Sequence, residues 1–214
     1  MKVDIWSDVR CPFCYIGKKK FELALAQFQH KDKIEIEWHS FELDPMAVTM
    51  PEANPIDHLA QIKGQSREWA QEMTNHVAKV AEEVGLHFNM EEAVVANSFN
   101  AHRLIQLAKA NDLGDEIEER LFTDYFISGK NIDDKEVLIA AGMEVGLDRL
   151  AIEMMLESES FTDEVRMDEA MARQIGISGV PFFIFNQKLA VSGAQPPETF
   201  LGAMNQAYSN IVTT

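Results

Sequence analysis

The hydrophobic and polar positions at the start of the chain follow two different periods. A short apolar run predicts a strand at residues 2–6, and the mixed apolar and charged pattern of residues 11–30 predicts a helix. Residues 34–41 are predicted as a half-buried strand, because apolar and polar side chains alternate from Ile34 to His39. The first forty residues therefore predict a strand–helix–strand unit, the parallel unit of an α/β fold.

The middle of the chain has only helical patterns after a loop that is interrupted by prolines. Helices are predicted at approximately residues 56–63, 66–84, 97–111, 115–128, 134–145 and 148–157. Gly85, Gly146 and Gly176 are each followed by an apolar residue, which predicts helix ends closed by a left-handed glycine. Asp133, with Glu136 three residues later, predicts a helix start.

Strand patterns return near the C-terminal end. An amphipathic helix at residues 162–175 precedes two short apolar runs, 182–185 and 189–191, whose separation by a brief turn predicts a hairpin, and a last helix follows at 197–208. This order predicts an α/β protein with a thioredoxin-like fold and a large all-helical insertion. The thioredoxin-like domain is predicted to be discontinuous, with residues 1–44 and 158–214, and the insertion domain to cover residues 45–157.

Composition and charge narrow the possible partners. The 214 residues are 46% apolar, enough for a sizeable core, and carry a formal net charge of −16. Such a charge repels nucleic acid and anionic membranes, so neither is expected as a partner. No apolar stretch is long enough for a membrane span, and no leader-like segment follows Met1, so a cytoplasmic location is expected.

The two cysteines of the chain, Cys11 and Cys14, form a Cys-Pro-Phe-Cys sequence between a predicted strand and a predicted helix. This context puts Cys11 at a helix N-terminus, where backbone N–H groups and the helix dipole favour a thiolate, and Pro12 at the first helical position. Cys11 is then expected to be exposed and Cys14 to be shielded. In a reducing compartment such a pair is typical of redox chemistry rather than of a structural disulfide.

Two other interpretations of the cysteine pair remain open. Zinc sites normally need two further ligands, but the chain has no second Cys-x-x-Cys and its six histidines are scattered, so no metal site is predicted. Buried, inert thiols are the other possibility, because free cysteine is among the most buried residue types.

Four segments together resemble the DsbA-like thioredoxin-fold oxidoreductases, in particular their FrnE-like cytosolic branch: residues 11–14, 97–104, 179–183 and 192–195. The resemblance implies that Cys11 is the nucleophilic cysteine, Cys14 the resolving cysteine and Pro181 a cis-proline facing them. A cis-proline exposes the backbone of Val180, so that an extended substrate can pair with it as an added strand.

Aromatic residues flank both active-site segments and predict an apolar collar for unfolded chains; they are Trp6, Phe13, Tyr15, Phe182 and Phe183. Because strand residues alternate between faces, several of these five residues are expected in the core, and only one of Phe182 and Phe183 is expected to point toward the site. Val180, Phe13, Pro12 and Phe182 are the predicted substrate-binding residues. DsbA itself has a histidine between its cysteines, so Phe13 predicts a milder oxidant.

The function predicted from these features is thiol–disulfide exchange with protein or peptide thiols. No resident cofactor is expected beyond the redox-active disulfide, glutathione is a candidate co-substrate, and the protein is expected to be a monomer or a homodimer. One alternative is a glutathione-dependent transferase or isomerase, of the kappa-class or 2-hydroxychromene-2-carboxylate isomerase type, with Asn97, His102 and Arg103 along the glutathione groove or packed between helices. The other alternative is a holdase chaperone.

Overall fold

The computed structural model describes residues 1–212. The chain folds into two compact units. The first unit contains Met1–Leu43 and the chain from Val165 onward, and the second contains Asp44–Glu164. The predicted first boundary differs from the observed one by a single residue, but the predicted second boundary, after residue 157, is seven residues too early. The reason is that Arg103 of the second unit binds the backbone carbonyls of Ser158 and Ser160, which keeps this segment with the helices.

The elements of the first unit are β1 (Lys2–Ser7), α1 (Pro12–Gln27), a 3₁₀ turn (Lys31–Lys33), β2 (Glu35–Ser40), α8 (Thr162–Gln174, whose first turn precedes the boundary), β3 (Phe182–Phe185), β4 (Leu189–Ser192) and α9 (Pro197–Val212). The strands form a sheet in the order β2–β1–β3–β4. β1 pairs with β2 in parallel and with β3 in antiparallel orientation, and β3 and β4 form the predicted hairpin. The mixed α/β, thioredoxin-like fold is therefore confirmed.

The two faces of this sheet differ in character. One face buries apolar side chains against α1 and α9, in a core that includes Ile5, Trp38, Phe183 and Phe200. The opposite face packs on α8, where the Trp6 indole donates to the carbonyl of Asp168. The C-terminal half of β2 is buried on both faces, so the prediction of a half-buried strand is wrong there, because α8 covers the side that the alternation assigned to water.

The second unit is helical. Its elements are α2 (Pro55–Lys63), α3 (Arg67–Glu82), α4 (Phe99–Lys109), α5 (Gly114–Phe122), a π-helical turn (Thr123–Ile127), α6 (Lys135–Val145) and α7 (Arg149–Leu156). Eight consecutive residues of α4, 101–108, are buried, so this helix is surrounded by its neighbours. The predicted large helical insertion is confirmed, whereas the single helix predicted at 115–128 is in fact an α-helix followed by the π-helical turn.

Three predicted helix ends agree with the structure, and one predicted helix start does not. Gly85, Gly146 and Gly176 have φ angles of 79°, 105° and 82°, so all three helix ends are closed by left-handed glycines as predicted. The predicted cap at Asp133 is wrong by one residue. Asp134 is the N-cap of α6, and the carboxylate of Asp133 instead accepts hydrogen bonds from Thr49 and Asn100.

Among the described residues, no helix combines the length and apolar character that a membrane span requires.

Candidate active site

Cys11 is the N-cap residue of α1, in an extended conformation with φ −89° and ψ 110°. β1 ends four residues earlier, and the Cys11 N–H donates to the carbonyl of Asp8 at 2.9 Å, which closes the turn between strand and helix. Pro12 occupies the first turn of the helix, and the Cys14 N–H donates to the Cys11 carbonyl at 3.0 Å. The strand–turn–helix context predicted for the cysteine pair is thus observed.

Both cysteines are free thiols, and both are buried. Cys14 is 1% exposed, as the sequence predicts for the inner residue, but Cys11 is only 5% exposed, so its predicted exposure is wrong. The Cys11 Sγ lies 3.6 Å from the carbonyl oxygen of Val180, at which the thiol is directed. Burial raises the pKa of the Cys14 thiol well above its ordinary value, and its hydrogen bond with Cys11 and the charge of Cys11 raise it further.

The segment opposite the cysteines contains the cis peptide bond between Val180 and Pro181. The carbonyl of Pro181 accepts a hydrogen bond of 2.8 Å from the Gly193 N–H, which ties this segment to the residues after β4. The motifs at residues 11–14, 179–183 and 192–195, far apart in sequence, are therefore neighbours in the first unit.

Gly17, which the sequence analysis did not single out, allows α1 to approach this segment. A Cβ atom at Gly17 would lie 2.9 Å from the Pro181 Cγ and 3.6 Å from the Ala194 Cα. Such a separation from a proline ring is shorter than van der Waals contact allows, so only glycine fits without displacement. A glycine inside a predicted helix is the signal that was available in the sequence, since glycine there is unfavourable unless packing requires it.

Asp8 is a second residue that the sequence analysis missed. Its fully buried carboxylate accepts the backbone N–H of Arg10 at 3.1 Å through one oxygen and that of Leu43 at 2.8 Å through the other. The side chain therefore joins the turn before Cys11 to the segment that follows β2. Hydrogen bonds to a carboxylate are stronger than those between neutral groups, so Asp8 holds this turn firmly.

The aromatic residues of the predicted collar do not share one environment. Phe13 is 39% exposed between the two cysteines in sequence, and Phe182 is half-buried against the cluster that contains Trp6. Trp6, Tyr15 and Phe183 are core residues, as expected for several of the five, so only Phe13 and Phe182 remain as collar residues. Alternation along β3 explains why Phe183 joins the core while Phe182 does not.

Pro12 and Val180, the other two predicted substrate-binding residues, are both half-buried. Pro12 begins α1 beside Cys11, and Val180 presents its carbonyl to the Cys11 thiol. The predicted site residues thus all lie in the first unit, on two segments that meet at Cys11.

The residues considered for a glutathione groove, Asn97, His102 and Arg103, belong to the second unit. Arg103 is buried and donates to the carbonyls of Ser160 at 2.9 Å and of Met155, and burial lowers its pKa. Asn97 donates to the Ala47 carbonyl and accepts from the Phe99 N–H, and His102 is fully buried. These contacts assign the segment to helix packing.

Residues 2–205 match the DSBA-like thioredoxin domain family. The chain therefore belongs to this family of DsbA-like thiol oxidoreductases. It is similar over its whole length to the crystal structure of a probable DsbA oxidoreductase from Streptomyces coelicolor, with 36% identity, a TM-score of 0.91 and coverage of 98% of this chain and 90% of that one. It is also 29% identical over 206 residues to the uncharacterized protein YwbO of Bacillus subtilis, covering 95% of each chain.

A more distant structural neighbour is the cytosolic disulfide reductase DsbM from Pseudomonas aeruginosa, solved with GSH. Its TM-score is 0.65 with 16% identity, over 100% of this chain and 98% of that chain. At this identity the likeness concerns the fold alone.

Proposed function

We propose that the protein catalyses thiol–disulfide exchange on protein or peptide thiols through Cys11 and Cys14. The observation that supports this most directly is the position of Cys11, at the N-terminus of α1 and 3.6 Å from the Val180 carbonyl, with Cys14 one turn further into the helix. A helix N-terminus favours the thiolate, which is the nucleophile in disulfide exchange. The alternative of two inert thiols gives no reason for this placement.

In the reducing direction, the Cys11 thiolate attacks one sulfur of a substrate disulfide, and the other substrate sulfur leaves as a thiolate and takes up a proton. Cys14 then loses its proton and attacks the Cys11 sulfur of the mixed disulfide, which releases the second substrate thiol and leaves the Cys11–Cys14 disulfide. The raised pKa of Cys14 keeps it protonated until it is needed, so Cys11 is the thiol that attacks first. The oxidising direction is the reverse of these steps.

The substrate lies along the Val180–Pro181 segment in this proposal and pairs with its backbone as an extended strand. Phe13, Pro12 and Phe182 contribute apolar contacts on either side. The reaction needs no resident cofactor beyond the cysteine pair, and glutathione serves as a co-substrate that reduces or oxidises it. We place the reaction in the cytosol, where glutathione is the main thiol pool.

The test is to equilibrate the protein in glutathione buffers of graded ratio and to measure the dithiol fraction by alkylation and mass spectrometry. We expect an intramolecular disulfide to form at one defined potential. A Cys14→Ser variant should accumulate a mixed disulfide at Cys11 with a peptide or glutathione, and a Cys11→Ser variant should accumulate none. If wild-type protein never forms the intramolecular disulfide, the proposal is wrong.

The holdase alternative predicts a different response of the same variants. A holdase should suppress the aggregation of a cysteine-free client, and Cys11→Ser should suppress it as well as the wild-type protein does. If Cys11→Ser loses exchange activity, and neither the wild-type protein nor any variant suppresses client aggregation, the oxidoreductase proposal is supported against the holdase.

A further inference from the structure

A second cluster of reactive side chains lies in the first unit on the α8 side of the sheet, away from the core formed with α1 and α9. Asp4 on β1 and Glu37 and His39 on β2 direct their side chains to one point. The His39 Nε2 lies 3.0 Å from the Asp4 Oδ1 and 4.0 Å from the Glu37 Oε1, and the three potential ligand atoms all lie within 4.8 Å of one another. No metal site is expected from the sequence, and the proposed exchange reaction does not use this cluster.

His39 is the residue that distinguishes this cluster from an ordinary ion pair. It is 5% exposed, and its Nδ1 lies 2.7 Å from the Asp168 Oδ1. The other oxygen of Asp168 accepts the Ser40 N–H at 2.9 Å, so Asp168 is an acceptor and the His39 Nδ1 carries the proton. A stack on Trp6, with ring centroids 4.4 Å apart and planes inclined by 15°, holds the imidazole in place.

This arrangement leaves the Nε2 of His39 directed at the two carboxylates. A carboxylate that accepts the Nδ1 proton of a histidine while the Nε2 binds a metal is the usual outer-shell arrangement of histidine metal ligands. The Nε2 donates to the Asp4 Oδ1 at 3.0 Å, so an ion that replaces the Nε2 proton meets a lone pair already directed at the carboxylates.

A cation already occupies the same place. The Lys2 ammonium forms ion pairs with the Asp4 Oδ1, at 2.9 Å, and with Glu37. Its side chain is about one third exposed, so it can move into water without any change of the backbone. The cluster thus attracts positive charge, and the group that satisfies it now is a flexible one.

An entry path is present beside the cluster. A cavity of about 510 Å³ is lined by the three potential ligands together with Lys2 and Trp6, and with Met171, Ile175 and Ile184 on its apolar side. All of these residues belong to the first unit. The cavity has room for an ion and for the waters that complete its coordination.

We propose that Asp4, Glu37 and His39 bind a divalent transition-metal ion of the Zn²⁺ type, with Asp168 as the positioning residue and Lys2 as the competing cation. Zn²⁺ takes histidine nitrogen and carboxylate oxygen at about 2.0–2.2 Å in tetrahedral geometry, which corresponds to about 3.3–3.6 Å between ligand atoms. The observed 3.0 Å and 4.0 Å lie on either side of this range, and the third pair of ligand atoms lies within 4.8 Å, so side-chain rotations suffice. Three protein ligands leave the fourth position to water from the cavity.

Isothermal titration with ZnCl₂ tests the proposal. It is carried out on a Cys11→Ser/Cys14→Ser background, because a free dithiol also binds zinc. We expect one ion per chain, and MgCl₂ should give no binding because Mg²⁺ disfavours imidazole ligands. With CoCl₂, an intense visible absorption of the tetrahedral type should appear together with quenching of the indole fluorescence, since Trp6 stacks on His39.

Variants of this background separate a built site from general attraction of cations to an acidic protein. His39→Gln should weaken Zn²⁺ binding at least tenfold, and Asp168→Asn should weaken it by about ten- to a hundredfold. Lys2→Gln should strengthen binding about tenfold, because it removes the competing ammonium. Lys63→Gln, at an exposed lysine of the second unit, is the matched control and should have no effect.

Three results would overturn the proposal. They are no zinc binding at millimolar concentration, equal binding by His39→Gln, or equal effects of Lys2→Gln and Lys63→Gln. Lys2 is a partly exposed surface residue, so its variant tests the proposal even if His39→Gln fails to fold.

Discussion

Replacing Gly17 by alanine tests how closely α1 must approach the Pro181 segment. The added Cβ would lie 2.9 Å from the Pro181 Cγ and 3.6 Å from the Ala194 Cα, whereas carbon atoms in contact are about 3.5–4.0 Å apart. Helix and loop must therefore separate by about 0.6–1 Å. The Cys11 Sγ and the Val180 carbonyl, now 3.6 Å apart, lie on these two segments and would separate with them.

The expected stability change is small because two effects oppose each other. Overpacking typically costs about 1–3 kcal/mol, and alanine in place of glycine inside a helix contributes about 1 kcal/mol in the opposite direction. The free energy of unfolding should thus fall by about 0–2 kcal/mol, which lowers Tm by up to about 8 °C in a chain of this size. Exchange should suffer more, by about ten- to a hundredfold, because a misplacement near 1 Å is costly for an attacking group.

The assays are equilibrium unfolding in urea and stopped-flow reduction of a disulfide-containing peptide. Gly202→Ala is the matched control, because Gly202 also lies within a helix, α9, and a Cβ there meets nothing within 4 Å. It should leave the exchange rate unchanged and raise stability by up to about 1 kcal/mol. If Gly17→Ala behaves like Gly202→Ala in both assays, the close approach does not position the site and the reasoning is refuted.

Three further predictions concern single side chains. Because the pKa of Cys14 is raised in the folded state, its contribution to stability is fully present below the unfolded thiol pKa of about 8.5 and is lost as pH rises toward the folded value. The reduced wild-type protein should therefore lose stability above about pH 8.5 relative to Cys14→Ser, and parallel plots of stability against pH for the two proteins would contradict this. Phe13→Ala should lower kcat/KM for peptide disulfides by about three- to thirtyfold, since burying the 39% exposed Phe13 contributes at most about 2 kcal/mol, and should leave reaction with dithiothreitol unchanged. Equal losses in the peptide and dithiothreitol reactions would exclude substrate contact. Arg103→Lys should lower the free energy of unfolding by about 2–3 kcal/mol, because lysine cannot reproduce the hydrogen bonds of the guanidinium to the Met155 and Ser160 carbonyls. The control Arg67→Lys, at an exposed arginine, should lower it by less than about 0.5 kcal/mol, and equal shifts in Tm for the two variants would show that the Arg103 contacts do not stabilise the fold.

Hydrophobic periodicity by itself located the secondary structure and the insertion. The strands at residues 182–185 and 189–191 and the helix at 148–157 were predicted within about a residue of their observed bounds, because alternation and 3.6-residue repeats are local properties of the chain. The left-handed glycines were predictable for the same reason, since a cap involves only neighbouring residues. The strand before the Cys-Pro-Phe-Cys sequence and the helix that begins within it were likewise predictable from neighbouring residues.

Only the tertiary structure decided the features that join distant segments. The burial of Cys11 depends on Val180, the requirement for Gly17 depends on Pro181, and the buried environment of His39 depends on Asp168. In each case the partner lies more than a hundred residues away, so no window along the sequence contains both residues. The sequence determined which helices and strands form and where the two thiols stand along the chain. Packing of the two ends of the chain into one sheet determined which residues surround them, because the environment of a side chain is set by its neighbours in space.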